Sequence, residues 1–161
     1  MRRAAAAIAL GAVVVALAAG CGGGTQAPRE DVGVFMTRIL REEIDGQWSR
    51  QWTELHPGHQ KLISRAAYVE CSKEIGTNFG TNKERFKVVA VENDSIHVRG
   101  VPQTSAKLVT ITVRHPGAPQ LTYRLHAVSL GDRWAWILGQ RFLDAIGRGR
   151  CLDGSRLQSN T

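Results

Sequence analysis

From residue 29 onward, apolar side chains recur every three or four positions: Val32, Phe35, Met36, Ile39, Leu40, Ile44, Trp48, Trp52 and Leu55. That spacing predicts one long amphipathic helix over 29–55, with Gly46 as a bend near its middle. Glu30, Asp31, Glu42, Glu43 and the arginines fill the other face. His56-Pro57-Gly58 stops it, because proline lacks an N–H and disfavours helix just before it. A short helix is expected over 59–63. Another is expected over 65–75, with Ser64 as its N-cap and Tyr68, Cys71 and Ile75 on one face. The stretch 76–82 (GTNFGTN) is dense in turn residues and reads as a loop.

The period then changes from about 3.6 to two. Strands are expected at 86–91 and 95–101, joined at Asn93-Asp94. A third covers 107–115, with Val109, Ile111 and Val113 on one face. Pro116-Gly117-Ala118-Pro119 turns the chain. A fourth covers 120–130, with Leu121, Tyr123, Leu125 and Ala127 on one face. Gly131-Asp132 is a hairpin turn. The stretch 133–138 (RWAWIL) is the fifth, with Trp134, Trp136 and Leu138 aligned. Residues 140–161 read as a tail, briefly helical at 142–146 and polar over 152–161. Helices first and a meander second predict an α+β fold: N-terminal helices packed on one face of a curved antiparallel sheet of four to five strands.

The first residues follow neither period. Arg2 and Arg3 precede an uncharged apolar run, Ala4 to Ala19, broken only by Gly11. The run is shorter than the roughly 20 residues a membrane helix needs and fits a signal-peptide core. Ala18-Ala19-Gly20-Cys21 resembles a bacterial lipobox, although Ala18 replaces the larger apolar residue usual there. The resemblance implies cleavage after residue 20, a diacylglycerol on Cys21 and a chain anchored outside the cytoplasmic membrane. More than one acyl chain holds a protein firmly where one does not. Residues 21–29 (CGGGTQAPR) then read as a flexible tether, and 30–151 as one folded domain.

The chain has 161 residues, with 21 Lys and Arg, 14 Asp and Glu, and a formal net charge of +7. The basic residues are spread, without a run of five, which suits an anionic envelope and does not specify nucleic acid. Three cysteines are present. With Cys21 assigned to lipid, Cys71 and Cys151 remain, and an oxidising compartment favours their pairing. The loop closed would span about 80 residues, worth about 4 kcal/mol in the chain-entropy model. A nucleophilic Cys71 would need a paired base, and none lies nearby in sequence.

Two stretches resemble a known superfamily. Gln51-Trp52-Thr53-Glu54-Leu55-His56-Pro57, followed by Ile63-Ser64-Arg65-Ala66-Ala67-Tyr68-Val69-Glu70-Cys71, is similar to exported NTF2-like (cystatin-like) domains of actinobacterial lipoproteins. The stretch 132–138 (DRWAWIL) resembles the closing strand of such domains. The resemblance covers roughly residues 30 to 140 and rests on packing motifs. It implies helices seated in a cone-shaped sheet. It leaves function open, since some members are isomerases or cyclases with an acid in the cone, others bind ligands or partners, and some pair through the sheet.

For chemistry in such a cone, Tyr68, His97, Tyr123 and His126 are the polar candidates, and no inward Asp or Glu is expected as a base. Asp94 and Asp132 read as turn formers. His56 and His59 lack a third ligand, so no metal and no cofactor is expected. Trp48 and Trp52 share one helix face, and Trp134 and Trp136 one strand face. The four are expected to meet in the core, or to line an aromatic pocket with Tyr68, Tyr123 and His126. The reading is a non-catalytic binding or accessory module of the cell envelope, holding a small ligand or an envelope protein, with a homodimer through the sheet as an option. A cone enzyme should differ in placing an ionisable side chain deep in an apolar cavity. A structural partner of cell-wall machinery should instead expose an apolar patch.

Overall fold

Asp31 sets the start of the first helix. Its carboxylate accepts from the Gly33 N–H at 2.8 Å and the Val34 N–H at 3.1 Å, satisfying donors that the first turn leaves unpaired. The computed structural model describes residues 27–76 and 83–151. The signal segment, Cys21, most of the tether, most of the turn-rich 76–82 stretch and the 152–161 tail lie outside the described residues. Helix α1 (Val32–Ile44) is followed by α2 (Trp48–Thr53), α3 (Pro57–Leu62) and α4 (Arg65–Gly76). Then come strands β1 (Arg85–Val98), β2 (Val101–Arg114), β3 (Leu121–Leu130) and β4 (Arg133–Ile137), and a closing helix α5 (Gln140–Gly147).

The single long helix expected over 29–55 is two helices. Gly46 does not bend the chain but breaks it, at φ +68°, a conformation that glycine adopts without penalty. Ser64 caps α4 as expected, its hydroxyl accepting from the Ala67 N–H at 3.1 Å. Arg29, expected in the tether, is part of the fold: its N–H donates to the Asp132 carbonyl at 3.2 Å, and the next carbonyl, of Glu30, accepts from the Trp134 indole.

The strands form one antiparallel sheet in the order β1-β2-β3-β4. The two strands expected at 86–91 and 95–101 are one. The turn is not at Asn93-Asp94 but at Arg99-Gly100, where Val98 pairs with Val101 and Gly100 has φ +84°. Asn93 and Asp94 stay in the strand, where their side chains find partners: Asn93 with Lys107 on the adjacent β2, and Asp94 with His126 on β3, across β2. Register shifts at 88–90 and 96–98 mark bulges in β1, which bend a strand and increase its twist. The fold is thus α+β, with the helices on the inner face of a curled sheet.

The registers align Val109, Ile111 and Val113 with Leu125, Tyr123 and Leu121, and Ala127 with Trp136. This face packs on Phe35, Met36, Ile39, Leu55, Tyr68, Phe142 and Leu143 in the main core. A parallel bridge between Leu55 and Trp136 covers part of the outer edge of β4. Cys71 and Cys151 are joined by a disulfide with 5.0 Å between Cα atoms. It ties α4 to the chain beyond α5.

Candidate functional site

Among the described residues β4 pairs with 126–130 of β3 and stops short of 121–125. Between this part of the sheet, α1, α4 and the start of α5 lies a cavity of about 860 Å³. Its lining is mainly apolar and aromatic, with Leu40, Phe86, Tyr123, Leu125, Trp136 and Phe142 among its walls. Side chains from both faces of β3 line it, Tyr123 and Leu125 from one and Arg124 and His126 from the other. The cavity therefore reaches the edge of that strand that β4 does not cover.

The inner polar groups come from three helices. Gln51 on α2 is buried and linked three ways. Its Nε2 donates to the Ile39 carbonyl at 3.0 Å, its carbonyl accepts from the Trp136 indole at 3.0 Å, and its Oε1 accepts from the Tyr68 hydroxyl. Tyr68 and Ser72 on α4 are buried beside it. Glu43, in the last turn of α1, lines the same space.

Glu43 corrects the expectation that no acid points inward. Glu42 and Glu43 had read as the polar face of a long helix; because α1 stops at Gly46, its last turn is covered by α2 and the sheet. Glu42 is buried but paired, with Arg38 at 3.3 Å and Arg50 at 3.0 Å. Among the described residues no cation pairs with Glu43. Burial pushes its carboxyl up to about 7, against the weaker opposing pull of the Gln51 amide and the Trp48 indole. The indole contact is loose, since Trp48 Nε1 completes no hydrogen bond among the described residues. Burial, and the charge of Glu43 after it, pushes Tyr123 up to about 12 and Tyr68 well above the usual phenol range. Both phenols therefore stay protonated at any physiological pH.

The other expected site residues divide. Tyr68, Tyr123, Trp136, His97 and His126 line the cavity. His126 is held by Asp94 at 2.9 Å. Trp48, Trp52 and Trp134 do not line it; they are half-buried and packed against the main core, Trp134 with its indole donating to the Glu30 carbonyl at 2.7 Å. His56 and His59 turn their Nδ1 atoms to backbone donors, Gly58 at 3.1 Å and Leu138 at 3.2 Å. They cap α3 and tie it to β4. Among the described residues no cluster of His, Cys, Asp and Glu is arranged to hold a metal ion.

Gln51, Ser72 and Glu43 were missed. Periodicity carried a signal for two of them: Glu43 lies four residues after Ile39 and seven after Met36, on the apolar stripe, and Ser72 lies four after Tyr68. No family model, curated protein or solved structure matches this chain.

Proposed function

We propose that this chain is an extracytoplasmic binding module of NTF2-like (cystatin-like) type, anchored by lipid on Cys21, that holds a small, mainly apolar ligand in its cone without transforming it. The observation that carries the reading is the cavity. Its volume of about 860 Å³ falls within the roughly 300–1,000 Å³ of small-molecule sites, and an apolar wall with a few convergent polar groups is their usual make-up. A structural partner would be favoured instead by an exposed apolar patch; the exposed apolar positions of β1 are Val88, Val89 and Val91.

The test uses the full chain in a non-ionic micelle, titrated with 1-pyrenemethanol. Energy transfer from tryptophan to pyrene reports binding. One saturable site is expected. A Leu40→Phe, Leu125→Phe double variant, which adds bulk to two cavity walls, should lose it while unfolding in the same urea range. Binding that is unsaturable, or equal in the two proteins, contradicts the reading.

A second reading is favoured by one observation. Glu43 is an ionisable group in an apolar cavity with a pKa near neutrality, as a general base requires, and Tyr123 and Tyr68 are protonated hydroxyls close by. A proton-transfer enzyme of isomerase or cyclase type would exchange the α-hydrogens of a bound ketone with D₂O, and Glu43→Gln would stop it. The binding module leaves those hydrogens unexchanged.

A further inference from the structure

Resting on the binding reading above, we infer that the cavity selects a lipophilic cation: an amine whose apolar body fills the cone and whose ammonium group pairs with the Glu43 carboxylate. The acids around Glu43 show what it lacks. Arg38 reaches Glu30 at 3.0 Å, Glu42 at 3.3 Å and Glu54 at 3.1 Å, and Arg50 adds a second cation to Glu42 at 3.0 Å. Each of these three acids thus has at least one cation partner. Among the described residues Glu43 has the Gln51 amide and the Trp48 indole for company, with the phenols of Tyr68 and Tyr123 also in its field. A carboxylate in an apolar enclosure is expensive unless a cation joins it.

The backbone adds to the same field. Glu43 sits in the last turn of α1, where the carbonyl end of the helix carries partial negative charge and an acid is misplaced. A cation at this point meets both the carboxylate and the helix end. The walls suit it as well, because Tyr68, Tyr123, Trp136 and Phe142 present aromatic rings, which attract cations over their faces. An anionic head would be repelled by Glu43. The mouth is of mixed sign: Asp94 holds His126 at 2.9 Å, Glu84 holds His115 at 3.2 Å, and Arg124 and Arg141 stand nearby. It does not impose the opposite choice.

Three matched probes test this on the full chain in non-ionic micelles: 1-pyrenemethylamine, 1-pyrenemethanol and 1-pyrenecarboxylate. The amine should bind at least about tenfold tighter than the alcohol, the difference a charge-assisted contact supplies, and the carboxylate weakest. Glu43→Gln should erase the gap between amine and alcohol. Glu43→Asp, which keeps the charge, should keep an amine preference. Between about pH 6 and pH 8 the amine advantage should grow in the parent as the carboxyl ionises, and stay flat in Glu43→Gln. Growth that persists in that variant would belong to His97, His115 and His126 at the mouth, and overturns the inference. So does equal affinity for amine and alcohol, which leaves the binding site itself intact. If none of the three probes binds, the binding site and the inference fall together.

Discussion

Glu43 and His59 pull stability in opposite directions as pH changes. Glu43 is raised by burial from 4.5 to about 7, so the folded chain holds its proton more tightly than the unfolded chain. Its contribution is fully present below about pH 4.5 and is lost as pH rises through about 7. His59 is buried, and burial, with the neighbouring His56, lowers it from 6.5 to about 4. Its neutral form supports the fold above about pH 6.5, and that support is lost as pH falls toward 4. In Glu43→Gln only the second slope remains from this pair. Urea unfolding should show the variant more stable than the parent at pH 8, by a few kcal/mol at most. Their difference should shrink toward pH 4.5. A variant less stable than the parent at pH 8 would mean that the carboxylate is compensated after all. Glu43 was legible in part: its position on the apolar stripe marks it as inward, while its charge argues for the outside, and only the break at Gly46 decides between them. Gln51 was less legible, because its burial depends on partners from α1, α4 and β4 that are distant in sequence.

At the level of elements, α3 is seated by a backbone contact that tolerates no side chain. A Cβ on Gly58 would lie 1.6 Å from the Gly100 carbonyl oxygen, and one on Gly100 would lie 2.6 Å from Leu62 Cδ1. The helix therefore rests directly on the turn between β1 and β2. Arg99 fastens the same turn to α5, its N–H donating to Gln140 Oε1 at 2.9 Å and its guanidinium reaching Asp144 at 3.5 Å. Gly58→Ala should destabilise by about 2 kcal/mol or more, since backbone cannot yield as a flexible side chain can. Urea unfolding checks it, and a change below about 0.5 kcal/mol, the usual range for neutral surface sites, would contradict the contact. This turn is also where the pattern misled. Asn93-Asp94 has turn chemistry and Arg99-Gly100 looks weaker, yet the first pair stays extended with cross-strand partners and the glycine takes the turn. The later strands were legible because their alternation is unbroken: Val109, Ile111 and Val113, and then Tyr123, Leu125 and Ala127, do share the inner face.

For the whole molecule, the change of period from 3.6 to two foretold helices on one face of a sheet, and spacing alone could not foretell whether the space between would be filled. The main core is closed where the helices meet the inner face of the sheet, and among the described residues it opens where β4 ends short, alongside residues 126–130 of β3 and not 121–125. That mismatch in strand length creates the cavity. Of the four tryptophans, Trp136 lines the cavity, while Trp48, Trp52 and Trp134 pack against the main core. The disulfide joins α4, which supplies Tyr68 and Ser72, to the chain after α5, which supplies Phe142. Two walls of the cone are thereby held at a fixed separation, and a site so pre-organised loses less on binding.

The central claim is that the cone is a ligand site, and the most direct check is where a bound probe sits. Nuclear Overhauser contacts should be recorded from 1-pyrenemethanol on the full chain in non-ionic micelles. The account predicts contacts to Leu40, Phe86, Tyr123, Leu125 and Phe142 that saturate together. Contacts confined to the N-terminal apolar run, or to the exposed valines 88, 89 and 91 of β1, would contradict it.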